Sequence, residues 1–392
     1  MNSVRIGVIG IGNMGSAHAK GIYDGKVSQM VLTAVCDVDE ERLVWAEENF
    51  GQNVMKYQDY KEMLQSKAVD AVLIATPHIC HPMMTKAAFE AGLHVLTEKP
   101  AGVDAVSVRA MNKAAEDSGK IFGIMYNQRT NSLYHTLKML VAEGKLGEIK
   151  RFVWVINNWY RTQAYYDSSM WRATWSGEGG GVLLNQCPHN LDIWQWIMGM
   201  PVKLRAFCKY GNYHDIVVED DVTIYAEYEN HASAVFITST GEYPGTNRLE
   251  ISGTKGKAVI EDGILKLYLL EQDEREICFQ SKEGMPQESF HVEKVNQEVP
   301  EPGHIGILQN FADAICRGKE LIAPGKEGIN GLILSNAAYL SDWTDEWVYL
   351  PMDEQRFLDE LEKKREQEGV KSRAPVREKV QGEYIGRWAV RW

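Results

Sequence analysis

Apolar residues follow two rhythms along this chain. Through residues 1–125, short unbroken apolar runs at 4–9, 30–36, 71–75, 94–97 and 121–124 alternate with amphipathic stretches. Helix-like patterns occupy 14–43, 59–66, 81–91 and 104–118. An unbroken apolar run fits a strand buried on both faces. Strand–helix alternation predicts a parallel sheet with helices on both sides. After about 126 the rhythm changes. A helix is predicted at 131–143 and a strand at 148–158. An apolar helix follows at 182–198, closed by Gly199 and Pro201. Strand-like runs at 222–229, 232–239, 248–252, 257–261 and 264–270 are separated by turns such as Gly253-Thr254-Lys255-Gly256 and Asp262-Gly263, the latter a hairpin signal. Two helices are expected near 304–317 and 326–341. This half reads as α+β, with a largely antiparallel open sheet. Residues 353–392 begin as a charged helix and end in Tyr384, Trp388 and Trp392.

Length agrees with this division, since 392 residues exceed what one core usually holds. The boundaries read as 1–125, 126–352 and a charged extension at 353–392. The chain carries 42 Lys and Arg against 54 Asp and Glu, a net charge of −12. That excludes a general nucleic-acid binder, which needs clustered cations. The acidity is uneven: −3 in the first part, −10 in the second and +1 in the extension. The candidate contact stretch 157–175 has Arg161 and Arg172 against Asp167 alone, so the negative charge belongs to outer surface. The sequence contains no apolar run long enough to span a membrane and does not open as a signal peptide. Its six Cys have no C-x-x-C spacing, which fits a reducing cytoplasm.

Gly10-Ile11-Gly12-Asn13-Met14-Gly15 matches G-x-G-x-x-G, after a predicted strand and at the opening of a helix. In that context Gly10 permits the tight turn, Gly12 lets a pyrophosphate approach the backbone, and Gly15 lets helix and strand pack. The N–H groups that open the helix, including those of Asn13 and Met14, favour phosphate. Asp37, at the end of the second strand, suits the ribose hydroxyls of NAD and repels the 2′-phosphate of NADP, although Arg42 is near enough to reach it. The first domain therefore reads as a Rossmann fold for NAD. In such a sheet ligands sit beyond the carboxyl ends of the strands. Glu98-Lys99-Pro100 ends the fourth apolar run, which puts the Lys99 ammonium where it can stabilise an alkoxide.

Gly7 to His18, Ala75-Thr76-Pro77 with His81, Glu98-Lys99-Pro100, and the Gly179-Gly180-Gly181-Val182-Leu183 run leading to His189 and Asp192 together resemble the Gfo/Idh/MocA oxidoreductases, which include glucose–fructose oxidoreductase and inositol dehydrogenase. The resemblance implies an NAD-binding domain, a second domain whose open sheet makes homo-oligomer contacts (a dimer or tetramer), and oxidation or reduction of sugars or cyclitols. It implies that Lys99 is the catalytic lysine and His189 the proton acceptor. It also implies that Thr76, Pro77, His78, His81 and Glu98 line the cofactor, and that Asn127 and Arg129 reach the substrate cleft. Where the family has Asp four residues before the histidine, this chain has Asn185, which is assigned to binding and orientation. Asp192, three residues after His189, is a candidate for the missing carboxylate. Cys187 reads as a small buried side chain rather than a nucleophile. His78, Cys80 and His81 close no four-ligand set, so no metal is expected.

Six of the chain's 11 Trp fall between 154 and 196, interleaved with Tyr, Asn and Arg. Trp154, Trp194 and Trp196 sit at core positions. Trp159, Tyr160, Arg161, Arg172 and Trp175 lie in an aperiodic stretch, with Tyr165 and Tyr166 between them, expected to cap a hydroxyl-rich substrate. The variant Gly-Gly-Gly-Val-Leu-Leu-Asn-Gln-Cys-Pro-His-Asn-Leu-Asp resembles a subgroup acting on sugars and glycosides, including oxidation at C3 of glucosides, whose product a partner lyase can cleave. Two alternatives stay open: a glycoside-cleaving enzyme that uses NAD transiently, and a non-catalytic sugar or nucleotide sensor.

Overall fold

The structure is a computed structural model that describes residues 3–287, 289–296 and 300–369. The first domain runs β1 (Val4–Ile9), α1 (Asn13–Tyr23), β2 (Met30–Cys36), α2 (Glu40–Phe50), β3 (Met55–Tyr57), α3 (Tyr60–Gln65), β4 (Ala71–Ile74), α4 (His81–Glu90), β5 (His94–Thr97), α5 (Ala105–Ser118) and β6 (Phe122–Ile124). The pattern at 14–43 is two helices rather than one. β2 separates α1 from α2, and Asp39 caps α2 by accepting from the Glu41 N–H. Three-residue β3 is too short to leave a periodic signal. All neighbouring strands of the sheet are parallel, in the order β3-β2-β1-β4-β5-β6. The order reverses direction between β1 and β4, which opens a crevice at the carboxyl ends of the strands.

The second domain begins with α6 (Ser132–Ala142), β7 (Ile149–Ile156), α7 (Gln163–Asp167), α8 (Val182–Asn185) and α9 (Pro188–Met198). The helix expected at 182–198 is broken in two, because Pro188 has no N–H to continue the ladder and instead opens α9. Then come β8 (Lys203–Tyr210), β9 (Glu219–Glu227), β10 (Ser233–Ser239), β11 (Asn247–Gly253), β12 (Gly256–Glu261), β13 (Ile264–Leu270), α10 (Glu274–Gln280), β14 (Phe290–Asn296), α11 (Gly303–Arg317), α12 (Gly328–Thr344), β15 (Val348–Tyr349) and α13 (Glu354–Gln367). The sheet has the order β14-β13-β12-β11-β7-β10-β9-β8-β15. It is antiparallel except where β7 pairs with β10. Its helix-covered face carries Phe152, Trp154 and Phe236, and α9 lays Trp194 on it, stacked on Phe236 at 5.8 Å; all four are fully buried.

The late helices bind the two domains together. Gln309 on α11 accepts from the Ser28 N–H at 2.8 Å, and Asn336 on α12 accepts from the Ala105 N–H at 3.1 Å. In the charged extension, α13 packs on the rest of its own chain. Phe357 stacks on Trp343 at 5.6 Å, and Glu354 pairs with Arg109. The aromatic end, Tyr384 to Trp392, lies outside the described residues. None of the described helices is long and apolar enough to cross a membrane.

Candidate active site

The turn after β1 is built to receive a phosphate. Gly10 has φ +83°, a left-handed conformation that side chains disfavour. A Cβ on Gly15 would lie 1.8 Å from the Gly10 carbonyl oxygen, so only glycine lets α1 start this close to the strand. A Cβ on Gly12, by contrast, would meet nothing within 4 Å, so the space above it is open to a ligand. No side chain caps the N-terminus of α1 at Asn13 and Met14, which leaves its donors for an anion. Asp37 accepts from the Ile11 N–H at 2.8 Å and the Asp39 N–H at 3.0 Å. This fixes the carboxylate beside the turn with lone pairs to spare for a ribose diol. These residues fit a dinucleotide. Asp37→Ser is expected to weaken NADH binding about tenfold to a hundredfold and to narrow the preference over NADPH. Fluorescence titration with both nucleotides checks this, and an unchanged ratio would refute the role given to Asp37.

Lys99 leaves β5 at the carboxyl edge of the sheet, half-buried, and its Nζ donates to the Asn185 carbonyl at 2.9 Å. An ammonium has three donors, so this bond positions the group without exhausting it. Burial pushes its pKa down, and Glu98 and Glu178 oppose that shift. Glu98 itself holds His18 at 2.6 Å and accepts from the Lys99 N–H at 3.0 Å. Burial would raise its pKa, but the hydrogen bond from His18 and the charges of His18, His304 and Lys99 win and hold it far below the usual carboxylate range. The His304 ring stands 5.4 Å from that of His18, and burial brings its pKa down to about 4.

His189, in the first turn of α9, is 5% exposed and faces the edge of Tyr126 at 6.0 Å. Its buried Nδ1 has no hydrogen-bond partner among the described residues. Burial, reinforced by the charge of Lys99, holds it well below its ordinary pKa, so the ring is neutral near pH 7. Asn185 is bridged to the aperiodic stretch, where its Oδ1 accepts from the Tyr165 hydroxyl at 3.3 Å. Arg172 donates to the same hydroxyl at 2.6 Å, and both Arg172 and Arg161 lie over the Tyr165 ring, at 4.4 and 5.1 Å. Lys99, Asn185, Arg161 and Arg172 are thus linked through Tyr165 and the Asn185 carbonyl, and His189 lies within reach of the Lys99 charge.

Other expected site residues have different work. Arg129 is 2% exposed and forms a two-point ion pair with Asp192, at 2.8 and 2.7 Å, and a third bond to Glu327 at 2.6 Å. Its donors are committed to structure, and Asp192 faces Arg129 rather than supplying a carboxylate to the cleft. Trp175 is 3% exposed and packs on Tyr210, Tyr339 and Trp343, so it belongs to the core under α13. Trp159 is buried beside Cys187, whose thiol burial pushes up to about 12, as suits a packing residue. Tyr160 is 43% exposed and leans on Tyr243 at 5.1 Å. His81 is fully buried with its two ring nitrogens on the Pro100 and Thr76 carbonyls, at 2.7 and 2.8 Å, and clamps two turns together. His78 holds the Glu178 carbonyl at 3.0 Å across the domains. Thr76 and Pro77 stay partly exposed at the end of β4. Asn127 is buried in the turn after β6, and its Oδ1 has no partner among the described residues. Among the described residues no group of three or more His, Cys, Asp or Glu could hold a metal ion.

Glu178 and His304 escaped the sequence reading. Glu178 adjoins the glycine run, which is a local signal. His304 arrives from a helix two hundred residues beyond Lys99, where no spacing announces it.

Residues 4–126 match the profile of an oxidoreductase family with an NAD-binding Rossmann fold, and residues 134–259 match the GFO/IDH/MocA C-terminal domain. An uncharacterized oxidoreductase of Escherichia coli, YdgJ, is 30% identical over 206 residues, covering 52% of this chain and 56% of that protein. The myo-inositol 2-dehydrogenase of Thermotoga maritima is 26% identical, covering 86% of this chain and 95% of its own length. Among solved structures, the WlbA dehydrogenase of Chromobacterium violaceum in complex with NADH and UDP-GlcNAcA superposes with a TM-score of 0.77 at 26% identity, covering 90% of this chain and 97% of that one.

Proposed function

The chain belongs to the GFO/IDH/MocA family of NAD-binding oxidoreductases, and from that premise we propose that it oxidises a secondary hydroxyl of a sugar or glycoside. The observation that carries this reading is Lys99 at the carboxyl edge of the parallel sheet, its Nζ on the Asn185 carbonyl, with a buried His189 near enough for the lysine charge to depress its pKa. Gly10, Gly12, Gly15 and Asp37 would hold NAD, which when bound supplies the hydride acceptor. The neutral His189 ring accepts the hydroxyl proton. The Lys99 ammonium, steadied by the Asn185 carbonyl, stabilises the oxygen as negative charge develops on it. Arg161 and Arg172, gathered over the Tyr165 ring, offer donors to the rest of the ligand. A relative named as an inositol dehydrogenase and a dehydrogenase solved with NADH and UDP-GlcNAcA support a polyhydroxylated ring as substrate.

Resemblance of the Gly179 to Asp192 segment favours C3 of a glucoside as the oxidised carbon, with a lyase consuming the product. Phe207 and Tyr225, exposed on strands β8 and β9, support association of copies through this sheet. The test is a panel of sugars, glycosides and inositols with NAD⁺ and NADP⁺, followed by absorbance of the reduced nucleotide, with carbon NMR of the product. Net NADH with NAD⁺ is the expected result. Glycoside cleavage without net NADH would replace this reading with a transient-oxidation mechanism.

A further inference from the structure

A buried carboxylate unused by this chemistry stands one residue behind Lys99. Glu178 is 1% exposed. One of its oxygens accepts from the Ala173 N–H at 2.6 Å. The other accepts from the Asn185 side-chain amide and has Arg172 Nη1 at 3.7 Å. An ionised carboxylate can only accept. It therefore turns the amide NH₂ of Asn185 toward itself and the Oδ1 toward the Tyr165 hydroxyl. The main-chain carbonyl of that same Asn185 is the acceptor for Lys99 Nζ. Glu178 is in turn pinned by its own carbonyl, bonded to His78.

We propose that Glu178 is a positioning residue of the dehydrogenase: through Asn185 it fixes the seat of the Lys99 ammonium, and it supplies a buried countercharge to it. The inference rests on the role assigned to Lys99 above. The charged and titratable groups facing Lys99 come from every surrounding element. Glu98 adjoins it on its own strand end, and Glu178, Arg172 and Arg161 face it from the segment between β7 and α8. His78 comes from the turn after β4, His81 from the start of α4, His189 from α9 and His304 from α11. Two acids thus face three cations, Lys99 included, so removal of one acid leaves Lys99 with one carboxylate against two neighbouring cations.

The test is an NMR pH titration of the full chain labelled with ¹³C at lysine Cε, with the Lys99 signal assigned by its loss in Lys99→Met. Glu178→Gln keeps the shape and removes the charge, and is expected to lower the Lys99 midpoint by about one pH unit. On a substrate found in the panel, the alkaline limb of kcat/KM should move down with it, and Glu178→Asp should restore both. Arg172→Met removes a neighbouring cation and should raise the midpoint, so it decides by sign even if Glu178→Gln does not fold. A Lys99 midpoint that stays in place in either folded variant overturns the proposal. Because the titration needs no substrate, a panel without turnover would overturn the functional reading while leaving this measurement to stand or fall by itself.

Discussion

Replacing Lys99 with methionine is expected to lower kcat by about 10²–10³-fold, the usual cost of removing one donor to a developing oxyanion. Methionine is unbranched like lysine, so the side chain can still fill the space beside Asn185. The loss is therefore of charge and hydrogen bonding rather than packing. NADH binding should persist, since the glycine turn and Asp37 lie at the ends of other strands. Lys99→Arg should not rescue turnover, because a planar guanidinium cannot take the point-charge geometry held by the Asn185 carbonyl. Steady-state kinetics with a fluorescence titration of NADH separate the two effects. Wild-type kcat retained in Lys99→Met would remove this residue from the chemistry. In the wild type, kcat/KM should remain level on the acid side to below pH 6.5. The His189 ring stays neutral there, with burial and the charge of Lys99 holding its pKa down.

Arg129→Met should instead strike stability. Its guanidinium is buried, and burial opposes its charge, but Asp192 and Glu327 outweigh that penalty and keep it cationic. Removing it strands the fully buried Asp192 carboxylate with Gln195 as its remaining partner. Breaking a buried pair from one side costs about 3–5 kcal/mol. The unfolding midpoint in denaturant should fall accordingly, with KM near wild type. Arg129→Met combined with Asp192→Asn should recover part of the loss, since the second change removes the stranded charge. A raised KM at unchanged stability would return Arg129 to the substrate cleft.

The fates of Arg129 and Lys99 show where sequence reading succeeds. Both are polar residues just after a strand of the same sheet, and both sit in stretches that resemble the family's site. Lys99 emerges at the crevice, while Arg129 turns beneath it toward α9. No local pattern distinguishes them, because the partner that captures Arg129 lies 63 residues away. The same holds for Trp175, aperiodic in sequence like the site residues around it, yet enclosed by Tyr339 and Trp343 from a helix far along the chain.

The sequence by itself determined the parallel first domain, the strand-rich second domain and the NAD-binding turn with its acid. Each of these depends on short-range physics: apolar periodicity, glycine where a carbonyl lies 1.8 Å from a would-be Cβ, and a helix N-terminus. Tertiary structure alone decided which polar groups face the cleft and which are used up in the core. It paired Asp192 with Arg129 and brought Glu178 to Asn185. It also carried His304 across the molecule to the His18–Glu98 pair. Burial and partner choice are long-range properties, and they set the charge state and reach of every ionisable group at this site.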